Sequence, residues 1–350
     1  MLGKKISILV TGGAGFVGCN LVHSFLVDGY SVKILDNLSR KGSERNLKWL
    51  RGIHNNAFSF VQGDIRNAME VRESVATADV IFHLGAQVAV TSSLEDPRTD
   101  FETNALGTLN VLEAARLSVR RPFVLLTSTN KVYGDLNNVP VVEGKTRYTF
   151  RDCEGIGEDH PLDFHSPYGC SKGAADQYVH DYGRIYGLPT VVFRMSCIYG
   201  TRQFGNEDQG WVAHFMISHA LGRPITIYGN GKQVRDILFV DDLIRAFRMC
   251  LEKPEVVAGQ IYNIGGGPEN TISIWLEMKD KLRVLTGLEP TEPPRKEWRS
   301  GDQPIYISDI SKAQRDFGWQ PKISVNQGMK KLHDWIEDNR SLFVSTNIPG

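Results

Sequence analysis

The sequence predicts an α/β fold, a doubly wound parallel sheet joined to a smaller α/β unit. Three observations carry this. Residues 5–36 read as strand, glycine turn, helix and strand. β-rich runs then alternate with segments of helical apolar spacing as far as "RPFVLLTST", the pattern of a parallel sheet covered on both faces. Finally, 350 residues are too many for one ordinary small domain and enough for two that share a large core.

The first strand, "KISILVT", ends at "GGAGFVG"; the helix "CNLVHSFLVDGY" and the strand "SVKILD" follow. The turn is spaced Gly12-x-x-Gly15-x-x-Gly18. Glycines let it close and let backbone N–H groups approach a pyrophosphate, and the helix N-terminus adds partial positive charge. In this context the turn is a dinucleotide fingerprint of the Rossmann type. Asp36 ends the second strand, where a carboxylate accepts hydrogen bonds from the adenosine ribose and repels a 2′-phosphate. NAD is therefore expected, with Arg40 and Lys41 keeping NADP open. "FSFVQGD" ends at Asp64, which is expected to meet the adenine; "ADVIFHLGA" runs into Ala86 and Gln87, and Asn104 starts the helix "NALGTLNVLEAARL". Ligands on such sheets gather beyond the carboxyl ends of the strands. The candidate cofactor residues at these ends are Gly12, Gly15, Phe16, Val17, Asp36, Asn37, Ser39, Arg40, Asp64, Ile65, Leu84, Ala86, Gln87 and Asn104. His83 reads as a packed strand histidine, not a catalytic one.

"SPYGCSKGAADQYV" runs from Ser166 to Val179. Pro167 suits a first helical turn and Ser166 its cap. Tyr168 and Lys172, at i and i+4, share a face. A tyrosine with a pKa of about 10 is a poor base at neutral pH. A nearby ammonium lowers that pKa, so the phenolate can take a proton from a hydroxyl while hydride leaves the same carbon. Thr129, at the end of its strand, is placed to orient the reacting oxygen. Tyr-x-x-x-Lys alone is a common surface pair. After a dinucleotide unit and a Ser/Thr strand end it reads as catalytic, and Tyr168 and Lys172 also join the cofactor set.

Lys+Arg and Asp+Glu both number 40, so no net charge argues for a nucleic-acid or anionic-membrane partner. No apolar run reaches the ~18–20 residues of a membrane span. "MLGKKISILVTGG" goes straight into a strand, so a signal peptide is not expected. The five cysteines are scattered, without metal spacing, which points to reduced thiols, a cytoplasmic location and no metal.

Gly12, Gly15, Gly18, Thr129, Tyr168 and Lys172 together resemble the extended short-chain dehydrogenase/reductase family, the nucleotide-sugar epimerases and dehydratases. The resemblance covers nearly the whole chain, through "FRMSCIYGTRQF" (193–204), "GNGKQVRDILFVDD" (229–242), "YNIGGG" (262–267), "WRSGDQ" (298–303) and "FGWQPKISVNQGMKKLHDWI" (317–336). Sugar 4,6-dehydratases of the family carry an Asp-Glu pair directly after the threonine. Here Asn130 and Lys131 stand there, which disfavours dehydration. The 4-epimerases usually have small or neutral residues at this point. "STNKVYGD" (128–135), with "LDFHSPYGCSKGAADQY" (162–178), "DQGW" (208–211) and "DNLSRKG" (36–42), resembles the branch that inverts C2 of CDP-linked sugars. Met195 departs from it, where a more polar residue is expected, and the deoxygenation pattern of the sugar stays open.

The resemblance implies that Tyr168 takes the C2 hydroxyl proton while C2 gives hydride to NAD. The 2-keto sugar turns over and hydride returns to its other face. Thr129 would bond the reacting oxygen, and Lys172 would hold the nicotinamide ribose. A turning sugar needs a firmly held nucleotide, so the diphosphate should carry most of the binding. Arg235 and Arg299 suit it, since guanidinium forks onto phosphate oxygens. Asp302 would accept from the nucleotide ribose, Asn130 and Lys131 are candidates for sugar or cofactor, and Gln209 and Trp211 for the pocket wall.

The resemblance assigns 1–192 and 236–264 to an NAD-binding Rossmann domain, and 193–235 and 265–345 to a smaller nucleotide-sugar-binding domain. The chain is expected to return to the first with "ILFVDDLIRAF". Residues 136–165 read as a loop over the active site, and the last residues, "FVSTNIPG", are expected to fray. Helices 104–117 and 168–186 match the family's usual dimer face, implying a homodimer or homotetramer. Two rival readings stand: another enzyme of the family, a UDP-sugar 4-epimerase or a decarboxylase, separable by product stereochemistry; and a cofactor-sensing binding protein, opposed by the complete Thr129, Tyr168 and Lys172 set.

Overall fold

A computed structural model describes residues 6–299 and 301–343. The first five residues and most of "FVSTNIPG" lie outside them. In chain order the strands are β1 (Ser7–Thr11), β2 (Ser31–Asp36), β3 (Ser59–Gln62), β4 (Val80–His83), β5 (Phe123–Thr129), β6 (Val141–Glu143), β7 (Tyr148–Phe150), β8 (Thr190–Met195), β9 (Cys197–Tyr199), β10 (Ile227–Tyr228), β11 (Val234–Phe239), β12 (Gln260–Ile264), β13 (Thr271–Ser273), β14 (Arg295–Lys296) and β15 (Ile305–Tyr306).

Seven of them form one parallel sheet in the order β12-β8-β5-β4-β1-β2-β3. The order reverses between β1 and β4, which opens a crevice at their carboxyl ends. Side chains alternate between the two faces. Ile8, Val10, Phe82, Leu125 and Phe193 join one core, while Leu9, Ile81, Val124, Leu126 and Val192 join another beneath Val111, Ala175 and Val179. The first core continues into the second unit through Phe239, Trp275 and Trp335. The two units therefore share one apolar interior.

The smaller unit is built on β11, which pairs with β9 and β15 in parallel and with β13 antiparallel. Two sequence expectations change here. β8 runs on to Met195 in the large sheet, and residues 237–239 of "ILFVDDLIRAF" pair with β9 in the small one. The return to the large sheet is made by the helix Val240–Glu252 and then β12. The last long helix, Val325–Asp338, starts at a Ser324/Gln327 capping box and buries Met329, Leu332, Trp335 and Ile336.

Residues 136–165 do not cover the cleft. They carry the β6–β7 hairpin and pack Leu136, Ile156, Leu162 and Phe164 with Val132, Tyr133 and Tyr306 in a cluster of their own. Backbone bonds between Ile156 and both Ile307 and Asp309 hold the segment to the second unit. Its apolar residues dictate this docking, because a loop spanning the cleft would leave them in water.

His83, at the end of β4, is a packing residue. Its Nδ1 lies 2.7 Å from Thr11 Oγ1 and its Nε2 3.0 Å from Thr108 Oγ1. Burial, with the nearby charge of Lys172, pushes its pKa down to about 3, so it stays neutral. Between about pH 6.5 and 3 the unfolded chain binds the proton that the folded one refuses, and stability falls as pH drops through that window. His83→Gln is expected to be less stable at pH 7 but to lose less on acidification from pH 6.5. Urea midpoints across the range measure this, and parallel curves would refute it.

Candidate active site

A cleft of about 720 Å³ lies between the carboxyl ends of the large sheet and the second unit. Its floor is the glycine turn. Gly12 has φ +68°, and a Cβ there would come within 2.7 Å of Gly85 N. A Cβ on Gly18 would strike the Gly12 carbonyl oxygen. The helix Phe16–Val27 starts with no side-chain cap, so its first N–H groups remain available to an anion. The cradle fits a dinucleotide pyrophosphate and has no room for side chains.

Gly12, Gly15, Phe16, Val17, Asp36, Asn37, Ser39, Arg40, Asp64, Ile65, Leu84 and Ala86 all line the cleft. Asp36 ties the turn to β2, accepting from Ala14 N at 3.0 Å and Leu38 N at 2.8 Å. Burial raises its pKa against these bonds. Asp64 accepts from both Arg66 Nε and Arg66 Nη2, at 3.0 and 2.7 Å, and from Asn37 Nδ2, which hold it at about 2.

Gln87 and Asn104 do not line the cleft. Asn104 is buried, accepts from Gln87 N and donates to Asp100 and Ser171. It lies in a π-helical turn, Glu102–Leu106. Its bonds are used up in bracing the segment after β4 against the Tyr168 helix, which assigns both residues a supporting place instead of contact with a cofactor.

Tyr168, Lys172 and Thr129 all line the cleft, and the Tyr168 phenol is hydrogen-bonded with Thr129. The helix Ser166–Tyr186 begins under restraint: Ser166 has φ +64° and its Oγ accepts from Gly169 N, while Tyr168 N donates to Ser93 Oγ at 3.1 Å. Lys172 Nζ donates to the Thr127 carbonyl at 2.7 Å. Burial pushes Tyr168 up to about 12, against the hydrogen bond with Thr129 and the charge of Arg40. The sequence expectation of a phenol lowered by Lys172 is thus reversed in the protein alone, because desolvation outweighs the charges around it. Burial also brings Lys172 down to about 8, against Asp176 and Asp100.

The predicted substrate residues all line the other half of the cleft. Lys131 Nζ donates to the Gly301 carbonyl at 3.2 Å and lies 3.7 Å from Asp302. Arg235 Nη2 is 2.5 Å from the same carboxylate. Burial would raise Asp302, but Arg235 and Lys131 outweigh it and hold its pKa low. Asp302 is therefore a counter-ion between two cations, not the free acceptor expected from the sequence. Asn130 faces Gln303 Oε1 at 3.5 Å, and Trp211 Nε1 donates to Cys197 Sγ at 3.4 Å. Arg299 lies 4.0 Å from the Tyr228 ring centroid.

Three contributors escaped the sequence reading. Tyr228 supports Arg299, and its only sequence signal is the Gly229–Gly231 turn beside it. Cys197, one of five scattered cysteines, lies in the cleft wall. Most consequential is the fully buried pair of Arg194 on β8 and Asp176 on the Tyr168 helix. Nε and Nη2 of the arginine donate to the two carboxylate oxygens at 3.0 and 2.9 Å, and Nη1 donates to Tyr133 Oη at 3.1 Å. No spacing links residues on a helix and a strand that the fold alone brings together.

With this geometry in view, comparison with known proteins is specific. Residues 9–332 match the family described as GDP-mannose 4,6 dehydratase. The chain is 45% identical over 340 residues to CDP-paratose 2-epimerase of Salmonella typhi, covering 94% of this chain and 99% of that one. A putative UDP-glucose 4-epimerase of Methanocaldococcus jannaschii is 33% identical, covering 95% and 99%. Among solved structures, dTDP-glucose 4,6-dehydratase of Streptomyces venezuelae, with NAD bound, superposes with a TM-score of 0.82 at 28% identity, covering 96% and 98%. UDP-glucose 4-epimerase of Thermotoga maritima, with UDP-glucose, gives 0.81 at 30%, covering 96% and 100%.

Asp176→Asn leaves Arg194 buried without its counter-charge and is expected to cost about 3–5 kcal/mol. Asp302→Asn should cost less, since its carboxylate side chain is 19% exposed and water screens what remains. Denaturant unfolding of both variants tests the order; an equal or reversed order would show that the Arg194 pair does not anchor the helix.

Proposed function

Because the chain belongs to the GDP-mannose 4,6-dehydratase family of extended short-chain dehydrogenases/reductases, we propose that it is an NAD-dependent epimerase acting at C2 of a CDP-linked sugar. The observation that carries this reading is the pair of residues after Thr129. Asn130 and Lys131 offer no acid–base pair for expelling water, and Lys131 is already engaged by Gly301 and Asp302. The near full-length likeness to CDP-paratose 2-epimerase supports the same reading.

The cradle at Gly12, Gly15 and the uncapped helix start would hold the NAD pyrophosphate, with Asp36 at the ribose. NAD is favoured over NADP because Asp36 closes that end with a carboxylate. When bound, NAD supplies hydride acceptance and return at one sugar carbon. Tyr168, at about 12 in the protein alone, would be brought down by the positive charge that oxidised NAD adds to the site; as the phenolate it takes the proton of the C2 hydroxyl and gives it back after the 2-keto sugar has turned over. Thr129 holds the reacting oxygen beside the phenol. Lys172, fixed on the Thr127 carbonyl, presents its remaining N–H donors to the site. Arg235 and Arg299 anchor the nucleotide diphosphate so that the sugar can turn without being lost. Exposed Leu106, Leu117, Tyr178 and Ile185 on the two segments of the family's usual dimer face support a homodimer or homotetramer.

Incubation without added cofactor with CDP-glucose and CDP-paratose in deuterated buffer, followed by proton NMR, tests the reading. Inversion at C2 without deuterium there is expected, and Tyr168→Phe should lower turnover roughly 10²–10⁴-fold. Conversion of UDP-galactose alone would overturn the C2 assignment in favour of a 4-epimerase. Lys172, at about 8, loses its charge as pH rises. The rate is therefore expected to fall on the alkaline side, and Lys172→Arg should move that limb upward. A pH–rate profile unchanged in the variant would remove Lys172 from the titration.

A further inference from the structure

Four arginines line the cleft: Arg40, Arg202, Arg235 and Arg299. Three of them have an electron-rich partner within the protein. Arg235 is paired with Asp302 at 2.5 Å. Arg299 lies 4.0 Å from the Tyr228 ring centroid, with Asp208 at 3.8 Å. Arg202 lies 4.1 Å from the ring centroid of Trp49. Arg40 differs: among the described residues it has no carboxylate partner and no ring. Its Nη2 donates to Gln209 Oε1 at 2.5 Å, a neutral amide.

A guanidinium has five N–H donors, so most of those on Arg40 face the cleft uncommitted. The side chain is half-buried, and burial depresses its pKa with only the phenol of Tyr168 opposing. Desolvating a cation without a counter-charge is costly; an anion entering the cleft would offset it. The position matters as much as the charge. Arg40 comes from the segment after β2, in the dinucleotide half. Gln209 comes from the segment before the helix Trp211–Ala220, in the second unit. The bond between them spans the cleft, and an amide oxygen can orient the guanidinium without neutralising it.

We infer that Arg40 is a ligand for a diphosphate bound in the cleft, held in place by Gln209 from the opposite unit. The inference rests on the function proposed above only for the identity of the ligands. NAD and a CDP-sugar both carry a diphosphate, and a planar fork with free donors suits either.

The test is direct binding of NAD and of CDP, by calorimetry at two salt concentrations, to the cofactor-stripped protein and to Arg40→Met, Arg40→Lys and Gln209→Ala. Losing a charge-assisted contact should weaken binding about tenfold or more. Arg40→Met is expected to show that loss and a shallower salt dependence, Arg40→Lys to recover part of it, and Gln209→Ala to weaken the same ligand by a smaller factor. Loss confined to NAD assigns the cofactor diphosphate, loss confined to CDP the nucleotide diphosphate, and loss of both a shared ligand. Wild-type affinity of Arg40→Met for both overturns the inference. If thermal melts show that Arg40→Met does not fold, unchanged binding by both Arg40→Lys and Gln209→Ala overturns it. No turnover is needed, so a protein that binds both ligands but inverts no sugar refutes the proposed reaction and leaves this inference standing.

Discussion

The buried pair of Arg194 and Asp176 is the constraint on which the site depends. It joins the helix of Tyr168 and Lys172 to β8, and Arg194 reaches on to Tyr133, at the end of the short turn Asn130–Tyr133 that follows the Thr129 strand end. Tyr133 in turn donates to Asn263 on β12. A phenol and an ammonium from one helix and a threonine hydroxyl from a strand end are thereby set in one register. Buried ion pairs add little net stability against apolar alternatives. What this pair provides is a unique arrangement: a shift of the helix by one residue would leave both charges unpaired in the core.

Around that centre, the two units divide the work without separating. Their shared apolar core makes the cleft a feature of one folded body. The dinucleotide half offers backbone N–H groups and very little side-chain bulk. The second half offers charge, arranged as Arg235 and Lys131 about Asp302, with Arg299 on Tyr228. In the proposed reading, one half reads a cofactor by close approach and the other grips an anionic nucleotide. The contact of Arg40 with Gln209 joins the two.

Much of the site was legible before the fold was known, for a physical reason. The glycine turn, Asp36 and the Tyr168–Lys172 spacing are local patterns, and local geometry dictates what they can do. Predicted residues failed where neighbours intervened. Gln87 and Asn104 sit near the right strand end, but the π-helical turn sends Asn104 into the core. Asp302 carries an acceptor's chemistry, yet two cations from other strands and loops claim it. The segment 136–165 has a loop's polar composition, while its few apolar residues decide where it docks.

The sequence by itself determined the parallel α/β architecture, the dinucleotide turn and the Tyr168–Lys172 pair proposed as catalytic, since each is encoded within a few dozen contiguous residues. The tertiary structure alone decided the protonation balance and the pairing of charges. Tyr168 stands at about 12 and Lys172 at about 8 because both are desolvated, and desolvation is set by everything packed around a group. The same holds for Arg194 with Asp176 and for Arg40, which has no carboxylate partner among the described residues: charge is written in the sequence, but its partners are chosen by the fold.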